Sequence, residues 1–203
     1  ITLNRAIGGL NPDAVLVAAK LDARVVWMPT FDADFYLMEQ GRGPGLKLTD
    51  DSGELHASVL EILGIIGERD MVLASGHVSP SEAIALFGAA GASGIKRMIA
   101  THPGNTATLD EQRQMIALGA CLEYTFLSCM PSRARTTPEA LAGTLRTLGV
   151  DRCVVTTDFG QWMNPPPAEG MRMAISALLE AGMKPEEVST LVKVNPNQLL
   201  ERA

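Results

Sequence analysis

Three residues with metal-ligand or acid–base chemistry share one layout in this sequence. His77 follows the apolar run "MVLASG", His102 follows "RMIAT", and Asp158 follows "CVVTT". Neutral imidazoles and carboxylates are the usual ligands of zinc and similar divalent ions. We therefore take His77, His102 and Asp158 as candidate ligands of one metal site, with Asp158 as the candidate catalytic acid or base.

The elements that must position these residues are short apolar runs alternating with helical stretches. Several helices are opened by a cap residue before a proline, and Thr108 with Glu111 forms a candidate capping box. Strands are predicted at 23–30, 70–77, 96–103, 120–127 and 151–160, with the tail of another strand at 1–4. Helices are predicted at 12–22, 54–68, 81–91, 109–118, 138–148, 167–182, 185–192 and 196–202.

A strand–helix order repeated five or six times predicts an α/β fold. An open doubly wound sheet usually has a glycine-rich phosphate turn after its first strand, but "AIGGLNP" contains no GxGxxG. A (β/α)₈ barrel places its chemistry at the C-terminal ends of several strands, which is where the three candidates fall. We therefore predict a single TIM-barrel-like domain over residues 1–203.

Residues that are far apart in sequence can meet in a barrel, because its strand ends surround one axis. A divalent metal held there would lower the pKa of bound water to ~7, and Asp158 would accept or pass on the proton. The competing interpretation of each histidine is a helix cap or a bond to a loop carbonyl. We apply that interpretation to His56, which is predicted to be a surface residue inside helix 54–68.

The composition restricts the classes of partner. The net charge of −6 disfavours a nucleic-acid or anionic-membrane partner. No apolar stretch approaches the ~20 residues of a membrane span, and no signal peptide is visible. Cys121, Cys129 and Cys153 are an odd number without CxxC spacing, which predicts free thiols in a reducing compartment. We expect a cytoplasmic protein with a small-molecule substrate.

Several motifs resemble those of a known enzyme superfamily. "SGH", "ATHP" and "TTDFG" resemble the ends of strands five, six and eight of the amidohydrolase superfamily, which are metal-dependent hydrolases on a distorted (β/α)₈ barrel. "GGLNPDAVLVAAKLDARVVWMPTFDA" and "MKPEEVSTLVKVNPNQLL" resemble an uncharacterised amidohydrolase-like family within it. The resemblance implies that His77 and His102 bind metal, or that one binds metal and the other contacts substrate. It also implies that Asp158 binds metal and moves protons, with one or two divalent ions, expected to be zinc.

The sequence departs from the superfamily pattern in two places. No HxH pair is present, and "ITLN" corresponds to the third strand of the barrel. Because a full barrel usually needs ~250 residues, we expect an incomplete barrel with about six strands and the HxH in a missing N-terminal part. A naturally incomplete barrel closed by a partner subunit is the alternative. Thr30 and Asp32 stand where two-metal members carry a bridging Lys or Glu, which disfavours a two-metal centre.

Four further residues are candidates for the same site. Glu123 is a candidate ligand, or else a buried acid paired with Arg or Lys. Arg133 and Arg135 would bind a substrate carboxylate or phosphate, or else are solvated loop residues. Trp162 would line the pocket, or else pack on a hairpin flap within segment 31–55, the longest segment predicted to be non-helical.

The function predicted from these observations is hydrolysis of a small-molecule amide, ester or lactone through a metal-activated water. The alternatives are a metal-dependent phosphoesterase and a non-catalytic barrel that serves in binding or assembly. An open barrel flank would expose strand edge, so we also expect a homo-oligomer.

Overall fold

The computed structural model describes residues 1–201, and these form two compact units. Ile1–Cys121 together with the residues from Leu199 form the first unit, and Leu122–Gln198 form the second. The strands are β1 (Val25–Trp27), β2 (Val72–Ala74), β3 (Met98–Ala100), β4 (Cys121–Thr125) and β5 (Cys153–Thr156). The α-helices are α1 (Pro12–Lys20), α2 (Asp34–Glu39), α3 (Ala57–Glu68), α4 (Pro80–Ala92), α5 (Leu109–Ala117), α6 (Pro138–Leu148), α7 (Pro167–Glu180), α8 (Pro185–Ser189) and α9 (Asn195–Leu200).

The first unit contains a parallel sheet. β1 pairs with β2 through Val26 and Leu73, and β2 pairs with β3 through Ala74 and Ile99. The predicted strand tail at residues 1–4 lies parallel to β1 with a single bridge between Thr2 and Trp27. Since parallel strands put their carboxyl ends on one edge, the residues that follow β2 and β3 are neighbours.

The second unit contains the parallel pair β4 and β5, in register from Leu122 opposite Cys153 to Thr125 opposite Thr156. A π-helical turn, Thr190–Val194, joins α8 to α9. The amide nitrogen Nδ2 of Asn195 donates to the carbonyl oxygens of Val150 and Cys153, at 2.8 and 2.6 Å. This buried side chain ties the start of α9 to the start of β5.

Aliphatic side chains supply most of the core of each unit. Every residue of β2 is buried, as expected of a parallel strand covered on both faces. Leu63, Ile66 and Phe87 lie in the core of the first unit, and Leu145 and Leu178 in that of the second.

The helix starts follow the predicted capping signals. Ser79 with Glu82, and Thr108 with Glu111, form complete capping boxes at the starts of α4 and α5. Asn11 accepts from the backbone N–H groups that open α1, and Thr137 does so for α6. These signals were visible in sequence because each involves residues no more than three positions apart.

Two local predictions were wrong. Segment 31–55 contains a helix, α2, whose six residues are too few to show a helical period. His56 does not lie inside a helix: it precedes α3 as its N-cap residue, and its backbone N–H donates to Leu48 O at 2.9 Å. Leu55, predicted to lie in the same helix, pairs with Thr49 in an antiparallel bridge. This bridge confirms the predicted hairpin.

The remaining differences concern element ends. The strands have three to five residues and are shorter than predicted, because the apolar runs continue beyond the hydrogen-bonded ladder. The final residue of predicted helix 196–202 lies outside the described residues. None of the three cysteines forms a disulfide within residues 1–201, and only Cys153 is fully buried. Over residues 1–201 no helix has both the length and the apolarity needed to cross a bilayer.

Candidate metal centre

His77 is positioned by a tight turn at the end of β2. Gly76 has φ +66°, and a Cβ atom there would lie 2.4 Å from the carbonyl oxygens of both Met28 and Pro29. The backbone N–H of His77 donates to Pro29 O at 2.9 Å. Only glycine allows this close approach, so Gly76 holds His77 against the chain that leaves β1.

His102 is positioned by the equivalent turn after β3. It has φ +32°, in the left-handed region, which is unfavourable for a residue with a Cβ and concentrates at functional sites. The two turns hold each other: Gly76 N donates to Thr101 Oγ1 at 3.1 Å, and Thr101 N donates to Ser75 Oγ at 3.0 Å. This pair of hydrogen bonds fixes the separation of the two histidines.

The imidazole rings of His77 and His102 meet through their Nε2 atoms, which are 3.0 Å apart. A hydrogen bond at this separation requires the proton on one Nε2 and the lone pair on the other. Two nitrogens bound to one tetrahedral zinc ion at about 2.0–2.1 Å each would lie roughly 3.3–3.4 Å apart. The observed spacing of 3.0 Å is slightly shorter than this, and close to that of two neighbouring ligand positions on a single ion.

The protonation of His77 also suits a metal ligand. Its pKa is lowered to about 4, mainly by burial and also by the charge of His102, while the Thr30 backbone acts in the opposite direction. Its Nδ1 atom is buried and makes no hydrogen bond of normal geometry with any described residue. Since the ring is neutral at pH 7, it can offer a nitrogen lone pair to an ion.

Asp158 lies on a comparable turn in the second unit. It follows β5 by two residues, has φ +56°, and is exposed. The next residue, Phe159, is buried against α7, where a Cβ on Gly170 would lie 2.4 Å from its ring. The carbonyl of Thr157 accepts from Leu127 N at 3.1 Å. The turn is thus anchored on both sides of Asp158.

Glu123 is a half-buried acid on β4. The hydroxyl of Thr156 donates to its Oε1 at 2.9 Å. The pKa of Glu123 is raised to about 7. Burial is the main cause, the Thr156 hydrogen bond opposes the shift, and the charge of Asp158 adds to it. Glu123 is therefore partly protonated at neutral pH.

The predicted substrate-contacting side chains are all exposed. Arg133 and Arg135 lie in the loop after β4, where their backbone N–H groups donate to Met130 O and Ser128 O, each at 2.9 Å. Trp162 is 91% exposed. The roles assigned to these three residues stay predictions.

The structure thus brings together two of the predicted ligands, His77 and His102. Among the side chains of residues 1–201, no group of three or more His, Cys, Asp or Glu residues is assembled closely enough to hold a metal ion. The participation of Asp158 and Glu123 stays a prediction.

Two residues beside His77 were missed in the sequence. The ring of Phe31 lies 5.8 Å from the His77 ring, and that of Tyr36 lies 5.2 Å from it, measured between centroids. A signal was present: "FDADFYL" has three aromatic residues in a chain with only 4% aromatic content.

Comparisons with known proteins find one matching family and several solved structures of similar fold. The model of a family of unknown function (DUF6282) matches residues 1–123. A comparison with curated proteins finds no match. An amidohydrolase from Pseudomonas aeruginosa is 14% identical with a TM-score of 0.68, over 93% of this chain and 67% of that one. The organophosphorus hydrolase from Deinococcus radiodurans is 13% identical with a TM-score of 0.57, over 93% and 63%. A Burkholderia multivorans amidohydrolase with bound zinc is 15% identical with a TM-score of 0.57, over 93% and 78%.

At these identities the likeness shows the fold. The chain spans 67% and 63% of the lengths of the first two structures named. The predicted fold class, a (β/α)₈-barrel-like architecture of which part is present, is confirmed, as is the resemblance to the amidohydrolases. The chain therefore belongs to the family of unknown function DUF6282, and its fold is that of the amidohydrolase superfamily.

Proposed function

We propose that this protein is a metal-dependent hydrolase of the amidohydrolase type that cleaves an amide, ester or lactone bond in a small molecule. The observation that carries the proposal is the 3.0 Å separation of the Nε2 atoms of His77 and His102 at the ends of neighbouring parallel strands. A solved structure of the same fold, from B. multivorans, has bound zinc, which supports a divalent ion as cofactor.

The residues that would hold the ion are His77 and His102 through Nε2, and Asp158 through its carboxylate. A divalent ion supplies a coordinated water whose pKa is lowered to ~7, and hence hydroxide at neutral pH. The low pKa of His77, about 4, keeps this ring neutral and able to bind an ion across the physiological range. Zinc is the expected ion because its usual protein ligands are imidazole and carboxylate groups.

Asp158 would move the proton. Its carboxylate accepts a proton as the attacking water is consumed and delivers one to the leaving nitrogen or oxygen. Asp158 is an exposed residue on an anchored turn, which suits a group that meets substrate. Glu123, with a pKa of about 7 and an interaction with Asp158, would be a second acid in the same unit.

A phosphoester substrate is the second candidate. The D. radiodurans structure with this fold is an organophosphorus hydrolase, and the exposed loop of this chain contains Arg133 and Arg135. Both guanidinium groups would pair with a phosphoryl or carboxylate oxygen of the substrate. Homo-oligomerisation and a cytoplasmic location, expected from the sequence, are part of the same proposal.

The test is a substrate panel with the zinc-loaded full chain: p-nitrophenyl acetate, a γ-lactone, an N-acyl amino acid and a phosphotriester. We expect zinc-dependent turnover of a carboxylic ester, lactone or amide. Asp158→Asn should lower kcat by about 10²–10⁴-fold, as for loss of a general acid–base group. Zinc content should be measured beside kcat, because the variant keeps an oxygen ligand.

Asp151→Asn is the matched control, since Asp151 is an exposed aspartate in the same unit. It should leave kcat within twofold of the wild type. Turnover confined to the phosphotriester would favour the second candidate. Zinc binding without turnover of any of these substrates would favour a non-catalytic role.

A further inference from the structure

Phe31 and Tyr36 form an aromatic wall beside His77. We propose that this wall is a substrate-binding subsite that takes a flat apolar group, such as an aryl ring next to the bond to be cleaved. The inference deepens the proposed function and rests on it, because the role of His77 as a metal ligand is part of that proposal. The wall and the histidine lie in the same compact unit.

The three rings contact one another in pairs. Phe31 meets His77 edge to face at 5.8 Å and 87°, and meets Tyr36 at 5.7 Å and 74°. Tyr36 is tilted by 40° over His77 at 5.2 Å. All three distances lie in the range of favourable aromatic pairs. Each ring therefore restricts the orientation of the other two.

Phe31 is also 65% exposed. A single exposed apolar residue is ordinary on a protein surface and indicates nothing alone. Here, however, two aromatic contacts hold the exposed ring beside the candidate metal ligands. The result is an oriented apolar surface, available from solvent, at the place where a substrate would meet the metal.

The backbone on both sides of Phe31 is fixed. Asn4 Oδ1 accepts from Thr30 N at 2.9 Å and from Asp32 N at 3.3 Å, so one amide oxygen holds the residues that flank Phe31. Asn4 Nδ2 also donates to Thr30 Oγ1 at 2.9 Å. A subsite held in this way loses little conformational freedom when a ligand binds, which favours affinity.

The helix that carries Tyr36 is fixed as well. At the start of α2, Asp34 N donates to Leu46 O at 2.9 Å, and Leu46 N donates to Asp32 O at 2.7 Å. A Cβ on Gly45 would lie only 2.5 Å from Asp34 N, so the returning chain is packed directly on the first turn of α2. The position of Tyr36 therefore does not depend on its own ring contacts alone.

The chemistry of the wall favours a neutral ligand group. The carboxylates nearest in sequence already accept hydrogen bonds from the backbone, Asp32 from Arg5 N and Asp34 from Gly45 N, both at 2.8 Å. What the segment offers beside His77 is therefore ring surface. A flat ring can repeat the edge-to-face geometry of Phe31, whereas a methyl group gains much less contact area.

The first arm of the test uses no metal. The full-length protein is titrated with benzamide and, separately, with acetamide, and the ring proton resonances of Phe31, Tyr36 and His77 are followed by NMR. We expect saturable shifts with benzamide and none with acetamide at equal concentration. Phe31→Ala and the bulkier Phe31→Leu should each weaken benzamide binding at least fivefold. Met38→Ala, which removes another exposed apolar side chain of the same segment, should stay within twofold.

The second arm uses zinc-loaded protein and compares kcat/KM for p-nitrophenyl benzoate and p-nitrophenyl acetate. Phe31→Leu should lower the benzoate-to-acetate ratio about fivefold. Benzamide shifts without zinc-dependent hydrolysis would support the wall and count against the proposed function. Hydrolysis whose ratio is unchanged in Phe31→Leu, or benzamide shifts that leave the three rings unaffected, would overturn the wall.

Discussion

Gly76 determines where the imidazole of His77 lies relative to the end of β1. In Gly76→Ala the added Cβ lies 2.4 Å from two backbone carbonyl oxygens, and the alanine must adopt φ +66°. We expect the free energy of unfolding to fall by about 2–4 kcal/mol, since backbone strain and a clash add. Urea denaturation measures the change.

Gly88→Ala is the control, because Gly88 lies within α4 with no atom near the added Cβ. Alanine there should raise the free energy of unfolding by about 0.5–1 kcal/mol. Equal stability of Gly76→Ala and the wild type would contradict the close approach described for this turn.

Glu123 should make stability depend on pH. Its pKa is about 7 in the folded chain against a reference of 4.5, so between these values the folded state keeps a proton that the unfolded state has lost. The free energy of unfolding contributed by Glu123 therefore falls as pH rises through this window, by up to about 3 kcal/mol. Glu123→Gln removes this loss and should be more stable than the wild type at pH 8.

The measurement is urea denaturation of wild type and Glu123→Gln at pH 5, 6, 7 and 8. His77, whose pKa is lowered to about 4, contributes a slope of opposite sign, so the difference between the two proteins isolates Glu123. Glu180→Gln, at the end of α7, is the control and should parallel the wild type. A difference between Glu123→Gln and wild type that does not change with pH would show that the Glu123 carboxyl is not perturbed.

For individual residues, the sequence predicted some side-chain contacts and not others. His77 and His102 could be placed together because the ends of adjacent parallel strands meet at one edge. Phe31 and Tyr36 could not be placed beside His77, because their contact depends on the path of the loop after β1 and on the amide of Asn4.

Among the elements, β2 and β3 are held in register at their ends by Thr101. Thr101→Val removes the oxygen that accepts from Gly76 N. We expect a loss of about 1–2 kcal/mol in unfolding free energy, as for an unsatisfied partly buried N–H. Zinc affinity should fall about tenfold, since supporting contacts of metal ligands have effects of roughly 10–100-fold.

Thermal denaturation and zinc titration measure the two effects, and Thr101→Ser should restore both because it keeps the hydroxyl. Thr144→Val is a control in α6, where the exposed hydroxyl donates only to Ala140 O of the same helix. If Thr101→Val and Thr144→Val behave alike, the link between the two turns does not position the histidines.

The elements that could be predicted were those specified locally. The capping box at Thr108 depends on residues within one turn, and it predicted the start of α5 correctly, while the cap at Ser79 predicted the start of α4 to within one residue. The helix α2 was missed because Leu46, distant in sequence, holds its first turn. His56 was misplaced because Leu55 pairs with Thr49 rather than entering α3.

For the whole molecule we predict self-association. Ile1–Leu3 lies along one edge of β1. No other described residue pairs in a ladder with the opposite edge of Ile1–Leu3. Exposed strand edges offer unpaired N–H and C=O groups to another chain. Leu21 at the end of α1 is 79% exposed and Leu60 on α3 is 51% exposed, and these two helices pack together.

Sedimentation velocity of the full chain at micromolar concentration is the measurement, with a dimer or larger species expected. Leu21→Lys should shift the distribution toward monomer, because it places a charge on the apolar surface. Leu179→Lys, on α7 in the second unit, should leave it unchanged. A monodisperse monomer at all concentrations would contradict the prediction.

The fold class could be predicted for the whole molecule because strand and helix patterns alternate along its length, and that order leaves few architectures. The same order of elements does not specify whether Asp158 converges with His77 and His102. That convergence depends on how distant parts of the chain meet, which no local pattern specifies, and it stays a prediction.

The central claim is that His77 and His102 bind one divalent ion together. Equilibrium dialysis against zinc, with metal content determined by elemental analysis, tests it directly in four proteins: wild type, His77→Asn, His102→Asn and His56→Asn. His56 is the third histidine of the chain and lies at the start of α3, so its variant is the matched control. We expect saturable zinc binding by wild type and His56→Asn. Binding by His77→Asn and His102→Asn should be weaker by at least about 100-fold. Equal zinc binding by all four proteins, or none by the wild type, would contradict the central claim.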